Sequence, residues 1–274
     1  MKILLFIIII IVVVYLYLIK PDNSRKEALI PYHQRYICHR GFYNNEDIPE
    51  NSISAFKKAV DNNYGIELDI QLTKDDQLVV FHDTSLLRMC GIDKNLIDCT
   101  YEELKNYPLL DTKERIPLFS EVLKCLKKDT PLIVEIKGDG RFIEATKKTV
   151  EMMRQYDGLY NMESFNPLVV KYLKDHEPDI IRGQLSYNFL ADKDSPISFY
   201  LKFIATNLLY ISTVKPDYVA YDIENMNNLS FRIISRIYKG ECVAWTVKSQ
   251  KQLEQARKYY QTFIFDSFIP EQDS

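Results

Sequence analysis

Two short stretches hold residues whose types could do acid–base chemistry. The first is Cys38-His39-Arg40-Gly41, inside ICHRGFYNNEDIPENSISAF (37–56); the second is Phe81-His82-Asp83. The chain has four histidines, and these two end β-rich runs, RYICH (35–39) and LVVFH (78–82). Histidine changes charge near neutral pH, so two of them brought together could serve as general acid and general base. Two further runs carry charge: GIELDIQ (65–71) holds Glu67 and Asp69, and LIVEIK (132–137) holds Glu135 and Lys137. Residues two apart on a strand share a face, so each pair points one way while Ile66, Leu68, Ile70 and Ile136 point the other. Carboxylates aimed into an interior need partners to stay charged. A divalent cation meets that need, and an all-carboxylate set without thiolate favours a hard ion, Mg2+ or Ca2+. Lys137 beside such an ion, and Arg40 beside His39, suit the oxygens of an anionic substrate. Each feature alone has a blander reading, such as a solvated carboxylate pair or a same-face ion pair of little worth. Their recurrence at four strand ends is what points to a site. His33 and His176 lack such neighbours and read as structural.

The elements that must position these residues alternate. Strand patterns occur at 35–39, 65–71, 78–82, 132–137, 159–164, 180–186, 217–223, 242–247 and 262–266. Helical patterns lie at 51–63, 118–128, 142–156, 166–175, 197–211, 230–238 and 249–260. Near-continuous apolar strands alternating with helices predict a parallel sheet covered by helices. The length, and the lack of a G-x-G-x-x-G or P-loop motif, favour an α/β fold of the TIM (β/α)8 type, with its chemistry at the strands' C-terminal ends. Nine strand patterns compete for eight positions, and TKDDQ (73–77) is too short for a crossover helix. Residues 84–116 read as a short insertion after the His-Asp strand.

Bulk properties exclude other classes. The 274 residues carry a net charge of −3, and no basic stripe with interleaved aromatics occurs, so nucleic acid is not an expected partner. Five cysteines without CxxC spacing argue against a zinc site. Cys90 and Cys99 are near enough to pair in an oxidising space.

Residues 3–19, ILLFIIIIIVVVYLYLI, contain no charge, Gly or Pro. They predict a single-pass N-terminal transmembrane helix over 1–20, followed by a linker at 21–34 and one catalytic domain at 35–274. No small-residue cleavage site follows, which argues against a signal peptide. The positive-inside count leans toward a cytoplasmic domain.

The chain also resembles a known family. HRG…PENSISAF…GIELDIQLTKDDQLVVFHD, followed by IPLFSEVL, LIVEIKG, SF (164–165) and AWTV, resembles the glycerophosphodiester phosphodiesterases in order and spacing over about residues 35–270. The resemblance implies a TIM barrel, a divalent metal, and an inserted segment over the site where 84–116 falls. It implies His39 and His82 as the catalytic pair and Glu67, Asp69 and Glu135 as metal ligands. Arg40 and Lys137 would bind phosphate, and Glu50 and Asn51 of PEN would support the substrate site. Trp245 would line the pocket, with core packing an equal reading. TFIFDSFIP departs from the family's closing strand: Asp266 remains, but the usual glycine is missing and Ser267 follows. The implied reaction is metal-dependent hydrolysis of a glycerophosphodiester to sn-glycerol 3-phosphate and an alcohol, through a cyclic phosphate, at a membrane. The alternative is phospholipase-D-like hydrolysis of lysophospholipids or phospholipids by the same site. A tethered, inactive barrel is a third reading, disfavoured because all seven residues expected to carry the chemistry are present.

Overall fold

The computed structural model of the chain describes residues 1–33, 35–138 and 140–271. Among the described residues the nine strands are β1 (Ile37–Cys38), β2 (Gly65–Leu72), β3 (Leu78–Val80), β4 (Leu132–Ile136), β5 (Tyr160–Ser164), β6 (Arg182–Ser186), β7 (Tyr218–Asp222), β8 (Cys242–Val247) and β9 (Thr262–Phe265). The helices up to β4 are α1 (Lys2–Leu18), α2 (Ile30–His33), α3 (Ile53–Asp61), α4 (Leu87–Cys90), α5 (Tyr101–Leu104) and α6 (Phe119–Leu123). After it come α7 (Phe142–Met153), α8 (Pro167–His176), α9 (Phe199–Thr206), α10 (Ile211–Val214), α11 (Leu229–Arg232) and α12 (Gln250–Ala256).

Eight of the strands are parallel and close into a barrel, with β1 paired to both β2 and β9. The ninth, β3, folds back antiparallel on β2 with Ile70 opposite Val80. This resolves the surplus strand. Five residues between β2 and β3 suffice for a hairpin but not for a crossover, so β3 leaves the barrel.

Strand alternation splits the core in two. Ile66, Leu68, Ile70, Val134 and Ile136 face outward and pack with helix residues such as Phe56, Phe119, Val150 and Leu173. Ile37, Ile133, Ile181, Tyr218, Val243 and Ile264 fill the barrel's interior. Leu29 and Tyr32, from the stretch expected to be a linker, are buried against this inner cluster. The insertion at 84–116 has a small core of its own around Leu86, Met89, Leu96, Leu104 and Ile116. Its helix α5 starts with a capping box, in which Thr100 and Glu103 satisfy each other's backbone N–H groups.

The single-pass anchor expected over 1–20 is overturned. No helix among the described residues is long and apolar enough to cross a membrane. The seventeen residues of α1 rise about 25 Å, short of a ~30 Å hydrocarbon core. Its last turn is also held by the barrel domain. Ile19 is fully buried, Tyr15 Oη lies 2.8 Å from Ser230 Oγ, and Tyr238 Oη donates to the Leu16 carbonyl at 3.0 Å. The membrane localisation and the inference about its face fall with the anchor. All five cysteines are free, so no Cys90–Cys99 bond forms.

Burial divides the N-terminal segment functionally. Residues 2–14 are exposed, whereas Tyr32 is 1 % exposed. Deleting residues 1–13 should leave the thermal unfolding midpoint unchanged. Tyr32→Ala should cost about 3–5 kcal/mol, the usual toll of a large ring removed from a core, measurable by denaturant melts.

Candidate active site

Strand register assembles the polar residues at one end of the barrel. Asp69 on β2 stands opposite Glu135 on β4, and Glu135 stands opposite Glu163 on β5. Glu67, Asp69 and Glu135 are buried, and each offers an oxygen within 4.8 Å of the others. Lys137, just past β4, places Nζ 2.8 Å from both Asp69 Oδ1 and Glu135 Oε1. Arg40 follows β1; its backbone N–H donates to Glu67 Oε2 at 3.1 Å, and its Nε lies 3.5 Å from Asp69 Oδ2.

A tight loop makes this approach possible. Arg40 has φ 54° and Gly41 φ 82°, and a Cβ at Gly41 would sit 2.9 Å from the Ala55 Cβ on α3. The loop closes where the Asn51 N–H donates to the Arg40 carbonyl at 2.9 Å. Asn51 itself has φ 55°, a strained value for a side-chain-bearing residue, and its Nδ2 donates to Asp69 Oδ2 at 2.8 Å. Ser52 then caps α3 by accepting the Ala55 N–H. Glu50 accepts from Arg40 Nη1 at 2.7 Å.

The two histidines each meet an aspartate. Cys38 pairs with Phe265, so the next residues, His39 and Asp266, come side by side, with Nδ1 2.9 Å from Oδ2. Tyr43 Oη and Ser267 Oγ donate to the same carboxylate at 3.2 and 2.8 Å. His82 reaches the site because the Phe81 N–H donates to the Asp69 carbonyl at 2.9 Å. Gln71 Nε2 fastens this segment by donating to the carbonyls of Phe81 and Asp83. His82 Nδ1 lies 2.7 Å from Asp83 Oδ1. In both pairs a carboxylate on Nδ1 fixes the ring and favours Nε2 as the free lone pair.

Crowded carboxylates dictate protonation. Burial, then the charges of Asp69 and Glu135, push the Glu67 carboxyl well above the carboxylate range. Burial also raises Glu135. Asp69 goes the other way: burial opposes its ionisation, but Lys137, His82 and Arg40 outweigh it. Deeper in the barrel, burial and the charges of Glu135 and Asp69 push Glu163 up to about 8, against a bond from Tyr218. Burial and the neighbouring Arg40 charge hold His39 below the usual histidine value, against the pull of Asp266. The donor set fits a hard divalent cation: three carboxylates, an unpartnered buried Asn51 Oδ1, and no sulfur.

Every residue singled out from sequence except Trp245 gathers here. Trp245, on β8, is half-buried outside the polar cluster; it packs edge-on to the groove residue Phe165 with ring centres 5.2 Å apart, and its buried Nε1 has no hydrogen-bond partner. Beside the polar cluster opens a cavity of about 890 Å³. His82, Asp83, Glu135 and Lys137 form its polar end, and Phe165, Leu168, Tyr187, Phe189, Leu201 and Ile204 line the rest. Sequence reasoning named Asp83 and Asp266 without giving either a role, and missed Tyr43, Arg88 and this apolar wall. Asp266 and Asp83 had a visible signal in their positions at run ends; Tyr43 and Arg88 had none.

Residues 39–267 match the glycerophosphoryl diester phosphodiesterase family. The chain belongs to this family. It is 34 % identical over 163 residues to a glycerophosphodiester phosphodiesterase of Caldanaerobacter subterraneus, covering 54 % of this chain. The match spans 65 % of that relative's length. Among solved structures, a glycerophosphodiester phosphodiesterase from Parabacteroides distasonis superposes with TM-score 0.67 at 24 % identity, covering 85 % of this chain and 92 % of that one. A phosphodiesterase from Oleispira antarctica, solved with the product sn-glycerol-3-phosphate, gives TM-score 0.67 at 19 % identity over the same shares. These two likenesses speak for the fold.

Because burial and the charges of Asp69 and Glu135 raise the Glu67 carboxyl, a divalent cation entering the triad competes with its protonation. Binding of Mg2+ or Ca2+ should therefore release protons and weaken as pH falls. Calorimetric titrations in two buffers of different ionisation enthalpy should give different apparent heats. Glu67→Gln should reduce that difference, with Glu135 the remaining raised carboxyl of the triad.

Proposed function

We propose that the protein hydrolyses glycerophosphodiesters to sn-glycerol 3-phosphate and an alcohol, with His39 and His82 as the acid–base pair. The observation that carries this reading is the pairing of two histidine–aspartate couples beside one buried carboxylate triad and two cations. Family membership supports it, as does the glycerol phosphate held by the Oleispira protein.

In the proposed sequence, His39 takes the proton from the glycerol hydroxyl next to the phosphodiester. Burial keeps its ring neutral near pH 7, as a base requires. The hydroxyl oxygen attacks phosphorus, and the bond from phosphorus to the alcohol oxygen breaks. His82 donates the proton that the leaving alcohol needs. Water then opens the cyclic phosphate with the roles reversed. Arg40 and Lys137 hold the phosphoryl oxygens, and Asn51 and Glu50 fix the groups that hold them. Glu67, Asp69 and Glu135 would ligate Mg2+ or Ca2+, whose charge would stabilise the phosphoryl oxygens.

A second reading has its own observation. The groove beyond His82 is large and mostly apolar, which suits the acyl chain of a lysophospholipid better than a small head group.

The test is release of glycerol 3-phosphate, or of its acylated counterpart, with Mg2+, Ca2+ or EDTA. The substrates are glycerophosphocholine, glycerophosphoethanolamine, glycerophosphoglycerol and lysophosphatidylcholine. His39→Ala and His82→Ala should each lower turnover about 10²- to 10⁴-fold. Because the pKa of His39 is lowered, the acid limb of the rate profile should fall below pH 6.5. Leu201→Asp should depress lysophosphatidylcholine turnover and spare glycerophosphocholine if the groove takes an acyl chain. No turnover of any substrate would overturn both readings.

A further inference from the structure

We propose that Arg88 is a positioning residue: one guanidinium holds the carboxylate behind His82 and the carboxylate behind Arg40 at the same time. The inference rests on the roles proposed above for those two residues.

Arg88 lies on α4, the first element of the insertion. Its Nε and Nη2 donate to Asp83 at 2.6 and 2.9 Å, and its Nη1 and Nη2 donate to Glu50 at 2.9 and 2.6 Å. A planar guanidinium can make two bonds to each of two carboxylates from one rigid fork; an ammonium, with three donors, cannot make all four. Each carboxylate has a second duty. Asp83 holds His82 Nδ1 at 2.7 Å, and Glu50 holds Arg40 Nη1 at 2.7 Å. A continuous chain of contacts therefore runs His82–Asp83–Arg88–Glu50–Arg40, and ends on Asp69.

Surface tethering is a weak explanation for this geometry. Arg88 is 46 % exposed, where ion pairs contribute little, yet Glu50 is only 5 % exposed. Burial alone would raise the Glu50 carboxyl; the bonds and charge of Arg88, with the charge of Arg40, hold it at about 2. If Arg88 is removed, Glu50 keeps Arg40 as its one guanidinium partner and draws it away from a phosphate. Asp83 loses two of its bonds and is free to turn, and the His82 ring turns with it. The insertion thereby sets the alignment of the reaction centre from outside it.

The experiment compares Arg88→Gln and Arg88→Lys with the full-length protein. Steady-state turnover of glycerophosphocholine with saturating metal is measured alongside thermal melting. Nitrogen-15 histidine spectra above the ordinary histidine titration range report the His82 tautomer. Misalignment at this distance predicts a kcat loss of about tenfold or more in both variants, with methylguanidine restoring part of it in Arg88→Gln. It also predicts that His82 changes from one tautomer, with Nδ1 protonated, to a mixture. If Arg88→Gln fails to fold, Arg88→Lys carries the same comparison. Variants with kcat within about twofold of the parent and an unchanged His82 tautomer would overturn the proposal. So would a loss that only follows the melting temperature and resists methylguanidine. If the parent turns over no diester while the tautomer still changes, the function proposed above fails and the clamp stands.

Discussion

The site is organised by one constraint: three carboxylates buried within 4.8 Å of one another. Water cannot reach them well enough to screen their repulsion, so the fold must supply positive charge or leave protons in place. It does both. Lys137 and Arg40 approach from β4 and from the turn after β1, and Glu67 keeps its carboxyl pKa high. Arg40 reaches the carboxylates only through a left-handed backbone, and the loop that permits this returns through Asn51, also left-handed. Strain at both residues is tolerated because each ends on a charged partner inside the barrel.

That arrangement needs a barrel polar at one end and apolar at the other. Tyr218 spans the boundary. Its ring packs with Tyr32 and Ile133, while its hydroxyl meets Asn161 and Glu163 below the carboxylate triad. Leu29 and Tyr32 close the apolar end, so the N-terminal segment belongs to the barrel's packing although its sequence reads as a connector. The run before it misled for a related reason. Seventeen uncharged apolar residues satisfy a composition rule for a membrane span, but composition does not record that Tyr15, Leu16 and Ile19 are held by the barrel.

Much of the fold was legible because strand period and burial coincide in β2 and β4. Glu67 and Asp69 alternate with Ile66, Leu68 and Ile70, and that pattern alone assigns inside and outside. The direction of β3 was half-visible: TKDDQ excluded a crossover without saying what replaced it. Within the site, residues with a sequence neighbour of opposite character were found, as with Glu135 and Lys137. Asp266 was seen but given no task, because its meaning lies in pairing with His39 across the barrel's closing seam. Arg88 was not seen at all, since its two partners lie five and thirty-eight residues away. Its one local cue, a lone arginine on a short helix, is indistinguishable from a solvated surface residue.

The two histidine–aspartate couples are alike in bond length but not in setting. His39 and Asp266 lie deep, at 17 % and 8 % side-chain exposure, and Tyr43 and Ser267 complete the carboxylate's bonds with neutral hydroxyls. His82 and Asp83 lie at 33 % and 21 %, on the rim of the apolar groove, and a guanidinium completes theirs. The rim couple stands where the groove receives what leaves. Burial holds the deep ring below the ordinary histidine value, which suits the proton abstraction proposed for it, and the rim position of His82 suits the proposed donation to a departing alcohol. Asymmetry between otherwise matching pairs thus gives the proposed reaction a direction across the site, from the buried seam between β1 and β9 toward the groove.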